Sequence, residues 1–182
     1  MKAVMLSIQP RYCELIASGK KTVEVRRTKP KIDVPFKVYI YATWNGNSRE
    51  ILLKKYSRLF VDRYVDYLTT ADRASGKVIG EFVCDNIYDI APTSPNKYDC
   101  SWNVYEEHSR LTFDEFRNYL GEKNGYGWHI SDLVIYDEPR ELREFRSYNV
   151  STYIDEEFGL PMPTHEIKRP FQSWGYVYEV DT

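Results

Sequence analysis

Apolar positions recur along the chain with two different periods, and they divide it into short strands and short helices. Residues 1–8 are almost continuously apolar, which predicts a first strand. Tyr12, Leu15 and Ile16 then follow at helical spacing, so we expect a helix over 11–18 that ends at the next glycine. The chain therefore opens with a strand followed directly by a helix.

Residues 22–27 alternate strictly between apolar and polar side chains. Val23 and Val25 fall on one face of the predicted strand, and Glu24 and Arg26 fall on the other. This alternation predicts a half-buried strand with the two charged side chains in i, i+2 register. On the apolar face we expect buried valines, and on the polar face we expect charged groups that project from the solvent side into a cleft.

Later segments repeat the same two patterns. The clearest is a helix over 112–120, where Thr112 and Glu115 form a capping box and Gly121 ends the helix. The other expectations are strands over 36–42, 77–86 and 174–180, a helix over 49–68, short segments over 128–136 and 140–145, and irregular chain over 91–102 and 147–172. Short strands interrupted by helices, without a regular alternation, indicate an α+β domain around a small barrel or curled sheet.

Length and composition restrict the class of protein. A chain of 182 residues with 42% hydrophobic and 29% charged residues is typical of one globular domain, so we expect a single domain over 1–182. No apolar run approaches the length of a membrane span, and the first residues lack a signal-peptide core. These features predict a cytoplasmic protein that does not contact a membrane.

The common signatures of metal and cofactor chemistry are missing from the sequence. Cys13, Cys84 and Cys100 are odd in number and widely spaced, which predicts reduced cysteines and neither a disulfide framework nor a zinc site. There is no P-loop, GxGxxG, HExxH or GxSxG motif. We therefore expect no metal and no cofactor.

Positive charge is concentrated in one short segment. Residues 20–31 contain six lysines and arginines against one glutamate, a net charge of +5, whereas the whole chain has a net charge of −2. A local cationic segment on an acidic body is a plausible footprint for one phosphate-bearing strand. The alternative is a solvated, lysine-rich edge that discourages sheet aggregation, and composition does not decide between the two.

The same segment contains the pattern GxKxxExR, formed by Gly19, Lys21, Glu24 and Arg26. Lys21 lies where the first helix gives way to the strand. The Glu24 carboxylate can accept hydrogen bonds from base amino groups, or it can orient Lys21. Arg26 offers a planar fork of donors to a phosphate or a base edge. The structural alternative is a surface ladder of ion pairs, which contributes little to stability.

Neutral and aromatic side chains complete the expected cleft. Ser7 and Gln9, beside the start of the helix, offer neutral hydrogen bonds. Glu81 is a charged residue on an alternating strand and is either a second carboxylate of the site or a solvent-facing side chain. The candidates for a stacking wall around a flipped or single-stranded base are Tyr41, Trp44, Trp128 and His129. Each of these aromatic residues has a competing interpretation as part of the core.

The GxKxxExR pattern, placed behind a first strand and helix, resembles the signature of the ASCH domain family in the PUA-like superfamily. Residues 39–43 and 76–81 look like later strands of that family, and 125–130 (GYGWHI) resembles a larger bacterial and phage subgroup. The resemblance implies a PUA-like small mixed β-barrel with flanking helices. Because a minimal ASCH domain is shorter than this chain, we expect insertions near 45–75, 86–110 and 146–172.

The resemblance implies two functions of different classes. The first is a binding module that holds RNA or a nucleotide-like ligand in a cleft carrying Lys21, Glu24 and Arg26. The second is a hydrolase on the same scaffold, either an amidohydrolase of acetylated cytidine nucleosides or a ribonuclease, in which Lys21 and Glu24 are catalytic.

In the hydrolase interpretation Lys21 matches the family's catalytic lysine and needs a lowered pKa. Those amidohydrolases resemble one another in having threonine where this chain has Glu24, and a carboxylate there favours the charged lysine. Glu81 is then a further candidate carboxylate. A third interpretation is a protein-interaction domain that uses the insertions, with a protein partner that the sequence does not identify.

Overall fold

A computed structural model describes residues 1–44, 74–94, 97–99, 102–148 and 165–180. Within these ranges the helices are α1 (Pro10–Ala17), α2 (Trp102–Ser109) and α3 (Phe113–Leu120), with a 3-10 turn at Leu142–Glu144. The strands are β1 (Lys2–Ile8), β2 (Val23–Arg26), β3 (Phe36–Ala42), β4 (Val78–Cys84), β5 (Ile87–Ser94), β6 (Lys97–Asp99), β7 (Gly125–His129), β8 (Ser131–Arg140), β9 (Arg146–Ser147), β10 (His165–Glu166) and β11 (Trp174–Tyr178).

The described strands form two sheets. The larger has the order β10-β9-β11-β1-β3-β4-β8, and the smaller has the order β2-β7-β5-β6. β1 and β3 run parallel, while β11 pairs with β1 in the antiparallel sense. The outer strands of the described sheets do not pair with one another, so these strands do not form a closed barrel. The last strand, β11, thus lies directly beside the first.

The central strands of the larger sheet, β1 and β3, are buried on both faces, which explains the nearly continuous apolar sequence of β1. On one face Leu6 and Ile40 belong to a core that α1 covers with Cys13 and Ile16. On the other face Met5 belongs to a second core, whose further members include Tyr39, Tyr41, Leu142 and Phe145. Two separate cores therefore flank β1 and β3, and only the first touches α1.

A third core fixes the position of α3, the helix that forms one wall of the candidate functional site. Val25 of β2 packs with Ile90 of β5 and with Phe116 and Leu120 of α3. The predicted capping box of α3 is present: the Thr112 hydroxyl accepts from the Glu115 amide at 3.3 Å, and the Glu115 carboxylate accepts from the Thr112 amide at 2.9 Å. None of the helices in the described residues is long and apolar enough to cross a membrane.

The structure differs from the sequence-based expectation in the middle of the chain. The expected irregular stretch over 91–102 contains the end of β5, all of β6 and the start of α2. Pro92 is accommodated because the register of β5 against β6 shifts between Pro92 and Ser94, and such an irregularity tolerates a residue without an amide hydrogen. The expected helix over 49–68 lies outside the described residues.

Candidate functional site

A cleft with a volume of about 900 Å³ opens beside the edge strand β2. Its floor and walls come from five stretches that are distant in sequence: the end of β1 with the start of α1, the region around β2, Thr43 after β3, the α3 segment, and residues 172–173 before β11. Of the predicted site residues, the structure brings five together at this cleft: Ser7, Gln9, Lys21, Glu24 and Arg26.

Lys21, Glu24 and Arg26 form a charged triad at the base of the cleft. The Lys21 Nζ lies 3.2 Å from Glu24 Oε2, and the Arg26 Nη2 lies 3.0 Å from Glu24 Oε1. The three residues are only 2%, 6% and 7% exposed. The expectation of a half-buried strand with a solvent face is therefore wrong, because the whole of β2 is buried.

The triad has a consequence for what the cleft can recognise. Each Glu24 oxygen lies at ion-pair distance from a cation of the protein, which holds the carboxylate in place, although Oε2 makes no hydrogen bond among the described residues. Two cations and one anion leave the floor with a net positive charge. The base of the cleft therefore favours a ligand group that accepts hydrogen bonds, such as a phosphate or a carbonyl oxygen.

Arg26 is held by contacts that come from both ends of the chain. Its Nη2 donates to the carbonyl oxygen of Ser7 at 2.9 Å, and its Nη1 donates to Ser173 Oγ at 3.4 Å. Its buried Nε has no hydrogen-bond partner in the part of the chain that the structure describes. Buried donors are seldom left unpaired in proteins, so this guanidinium retains capacity for a further acceptor.

Lys21 is held by the end of a helix as well as by Glu24. Its Nζ donates to the carbonyl oxygen of Ser109, the last residue of α2, at 2.6 Å, and it lies 5.2 Å from the centre of the Tyr12 ring. Burial lowers the pKa of Lys21 below its ordinary value, and the Glu24 carboxylate opposes this shift without cancelling it. The sequence analysis predicted the effect of Glu24, which favours the charged lysine, but not the burial that opposes it.

The rim of the cleft contains functional candidates that the sequence analysis missed. Arg11 of α1 reaches Glu115 of α3 at 2.7 Å. The Arg27 guanidinium donates from Nε and Nη2 to the carbonyl oxygen of Tyr119 at 2.8 and 2.5 Å, with its centre 4.8 Å from the Tyr119 ring. The other unpredicted lining residues with polar side chains are Tyr12, Thr28, Thr43, Asn118, Gln172 and Ser173.

One sequence signal was available for part of this rim. The capping box places Glu115 in the first turn of α3, where the hydrogen bond from the Thr112 amide lowers the pKa of the Glu115 carboxyl. An ionised carboxylate there is a natural partner for Arg11. Nothing in the local sequence around 172–173 indicates that this stretch reaches β1.

Two of the predicted stacking residues lie in cores and not on the cleft. Tyr41 does face away from the first core, as the alternation predicts, but Leu142 and Phe145 cover that side of β3 in the second core. Trp128 is fully buried between the rings of Phe36 and Trp174, at centroid distances of 5.8 and 5.9 Å. The stacking wall expected from these two residues is therefore wrong for this cleft.

The remaining predicted residues lie elsewhere on the molecule. His129 pairs with Asp85 at 2.6 Å near the surface. Glu81 accepts from Tyr136 at 2.5 Å and pairs with Lys37 at 3.0 Å on the far side of β4. Trp44 is exposed, and none of these side chains lines the cleft. Among the described residues, no group of three histidine, cysteine or acidic side chains is placed to hold a metal ion.

Comparison with known proteins agrees with the fold. The sequence profile of the ASCH domain matches residues 6–132, a stretch that includes the end of β1 and all of α1 and β2. The chain therefore belongs to the ASCH domain family. ASCH domains are RNA-binding-like modules of the PUA type, and the mixed α+β fold described above matches that class.

Solved structures of an ASCH protein from Zymomonas mobilis share the fold. A serine-to-alanine mutant of that protein superposes with a TM-score of 0.55 at 19% identity, over 97% of this chain and 89% of the other. A second structure of the protein gives a TM-score of 0.51 at 20% identity, over 97% and 88%. No curated protein sequence matches this chain.

Proposed function

We propose that the cleft binds one nucleotide residue of RNA, or a related free nucleotide, with the Lys21–Glu24–Arg26 triad facing its phosphate or a base carbonyl. The observation that carries the proposal is the buried, positively charged floor on which Arg26 keeps an unpaired Nε. A cleft of about 900 Å³ is within the range of small-molecule sites. The family's nucleic-acid-binding character supports the same ligand class.

The walls supply the other groups that a nucleotide requires. Tyr12 and Tyr119 supply aromatic rings to the walls, each already in contact with a cation of the protein, Arg11 and Arg27 respectively, so a base would stack on the ring surface that these cations leave open. The side-chain amides of Gln9, Asn118 and Gln172 offer both donors and acceptors to base or ribose edges. The floor then attracts the charged or carbonyl part of the ligand, while the walls contact its ring.

Arg26→Ala should weaken binding of nucleoside monophosphates and short single-stranded RNA by tenfold or more, because it removes the planar donors of the floor. The affinity of Arg26→Lys should lie between those of wild type and Arg26→Ala, since lysine keeps the positive charge but lacks the planar donors of arginine. Calorimetric titration measures these affinities, and urea unfolding establishes that each variant is folded. Arg117→Ala, an exposed α3 arginine that does not line the cleft, is the matched control and should bind normally. Equal affinity of folded Arg26→Ala and wild type would contradict the proposal.

One observation favours a hydrolase as the second candidate. Burial lowers the pKa of Lys21, and a lysine amine must lose its proton before it acts as a base or a nucleophile. An amidohydrolase of acetylated cytidine would release acetate and cytidine, and a ribonuclease would cleave a phosphodiester bond. The close ion pair with Glu24 opposes this chemistry, because it stabilises the protonated lysine.

Lys21→Arg separates the two functions, because a guanidinium keeps its charge and does not deprotonate in a protein. We expect no turnover of acetylated cytidine or RNA by the wild type, partial ligand binding by Lys21→Arg and weak binding by Lys21→Ala. Chromatographic detection of products alongside calorimetric binding measures both properties. Robust wild-type hydrolysis that disappears in Lys21→Arg while binding persists would establish the hydrolase. Gain of hydrolysis in Glu24→Thr would place the difference between binder and enzyme at that residue.

A further inference from the structure

An exposed basic segment leads out of the cleft beyond β2. It consists of residues 27–31, in which Arg27, Lys29 and Lys31 are exposed cations at every second position. Arg27 lines the cleft, whereas Lys29 and Lys31 do not. The basic segment therefore extends positive charge from the site onto the adjoining surface, which is more than a single nucleotide requires.

Hydrogen bonds fix the basic segment to two other elements, α3 and β11. Arg27 donates to the Tyr119 carbonyl of α3, as described above. The Trp174 indole of β11 donates to Thr28 Oγ1 at 2.9 Å, and the Lys31 amide donates to the Tyr176 hydroxyl at 2.6 Å. A segment tied at both ends and in its middle presents its cations in a defined arrangement, so a ligand that binds there loses less free energy to ordering the protein.

The nearest partners of Lys29 leave it accessible to a stronger anion. Its Nζ lies 4.9 Å from the centre of the Tyr126 ring and 3.2 Å from an Asp89 carboxylate oxygen. The Asp89 side chain is 76% exposed, and ion pairs at such exposed sites contribute little. A phosphate can replace this contact at small cost.

The two ends of the cleft differ in available charge. Along α3, Glu115 and Tyr119 are four residues apart, which corresponds to about 6 Å of helix rise. At the Glu115 end the cation Arg11 is already bound to a carboxylate, whereas at the Tyr119 end Arg27 contacts a neutral carbonyl oxygen. A polyanion that enters the cleft is therefore drawn toward Arg27 and onto the basic segment.

We infer that the ligand is a single strand of RNA, with one nucleotide in the cleft and the adjoining phosphates on Lys29 and Lys31. This inference rests on the proposed function and deepens it, because it replaces a free nucleotide by a strand and gives the strand an exit path. Lys29 and Lys31 act as phosphate contacts, which position a strand without reading its sequence.

The test compares two ligands and two charge-matched variants. The ligands are each of the four nucleoside 5′-monophosphates and a six-residue RNA of mixed sequence. Lys29→Ala/Lys31→Ala removes the two outer cations. Lys123→Ala/Lys168→Ala removes two exposed lysines that do not line the cleft and controls for the change in net charge. Affinities are measured by calorimetry and fluorescence anisotropy at several salt concentrations.

We expect Lys29→Ala/Lys31→Ala to weaken binding of the six-residue RNA about tenfold at low salt and to leave monophosphate affinity unchanged. The slope of log affinity against log salt should fall by about 1.4, since each phosphate contact on a single strand contributes about 0.7. The inference is overturned if this variant binds the six-residue RNA like wild type. It is also overturned if the control variant loses as much affinity, or if monophosphate binding weakens equally.

The same measurements keep this inference separate from the proposed function. One outcome is that Arg26→Ala weakens binding of both ligands while Lys29→Ala/Lys31→Ala weakens binding of neither. In that case the cleft binds nucleotides and the strand path is wrong. If Arg26→Ala weakens neither ligand, the cleft proposal itself is wrong, and the strand path falls with it because the path begins at the cleft.

Discussion

Glu24→Ala should lower the free energy of unfolding by about 3–5 kcal/mol, because it leaves two buried cations without the anion between them. Lys21 and Arg26 both contact this carboxylate, and each is less than one-tenth exposed. Urea denaturation followed by circular dichroism measures the loss. If the three residues formed a surface ladder of ion pairs, Glu24→Ala would lower the free energy of unfolding by less than about 1 kcal/mol. A variant as stable as wild type would therefore contradict the buried triad.

The double variant Lys21→Met/Glu24→Gln is the control for Glu24→Ala. It removes one cation together with the anion, which restores the net charge of the floor, and it should recover much of the lost stability.

The pH dependence of stability gives an independent check on Glu24→Ala. In the folded protein the pKa of Lys21 lies below its ordinary value of 10.5, so between the two values the unfolded chain binds more protons than the folded chain. Stability due to this residue therefore rises with pH across that window. Without Glu24 the pKa of Lys21 falls further, and the destabilisation should be full near neutral pH and shrink as the pH rises through the Lys21 pKa.

Val25→Asp should prevent folding, because it places an ionised carboxylate in the core that joins β2 to α3. Val25 is 4% exposed and packs with Ile90, Phe116 and Leu120. A buried charge without a partner costs more than the few kcal/mol that a small domain can lose. Far-UV circular dichroism and thermal melting measure the outcome. Val25→Thr keeps the branched shape and replaces one methyl group by a hydroxyl, so its free energy of unfolding should fall by about 1–3 kcal/mol. A cooperative, near-native melt of Val25→Asp would contradict this assignment of the core.

The sequence predicted which residues of β2 lie together but not how deeply they are buried. Alternation at 22–27 separates Val25 from Glu24 and Arg26 correctly, since alternation follows from backbone geometry alone. Burial of the charged face depends on α2 and on residues near 173, which are about 85 and 150 positions away along the chain. Such coverage is a property of the tertiary fold, and no local pattern of residues encodes it.

The predicted aromatic wall failed for the same physical reason. The alternation of β3 shows that Tyr41 and Ile40 face opposite sides of the sheet, and this is what the structure has. It does not show that Leu142 and Phe145 cover the Tyr41 side. Tyr12 and Tyr119, which do line the cleft, lie on short helices whose position relative to β2 is set by packing. A residue's face can be predicted from the sequence, whereas its neighbours across the fold cannot.

The position of β11 means that the family-matched stretch and the unit that forms the cleft are not the same. The match ends at residue 132, yet the Ser7 amide donates to the Ser173 carbonyl at 2.9 Å, and Ser173 also holds Arg26. β11 pairs along most of β1, so the late part of the chain completes a sheet edge and a cleft wall together. Recognition of a ligand in this protein is thereby tied to completion of its fold, because a partly folded chain without the stretch that leads into β11 would lack Ser173, one of the groups that hold Arg26.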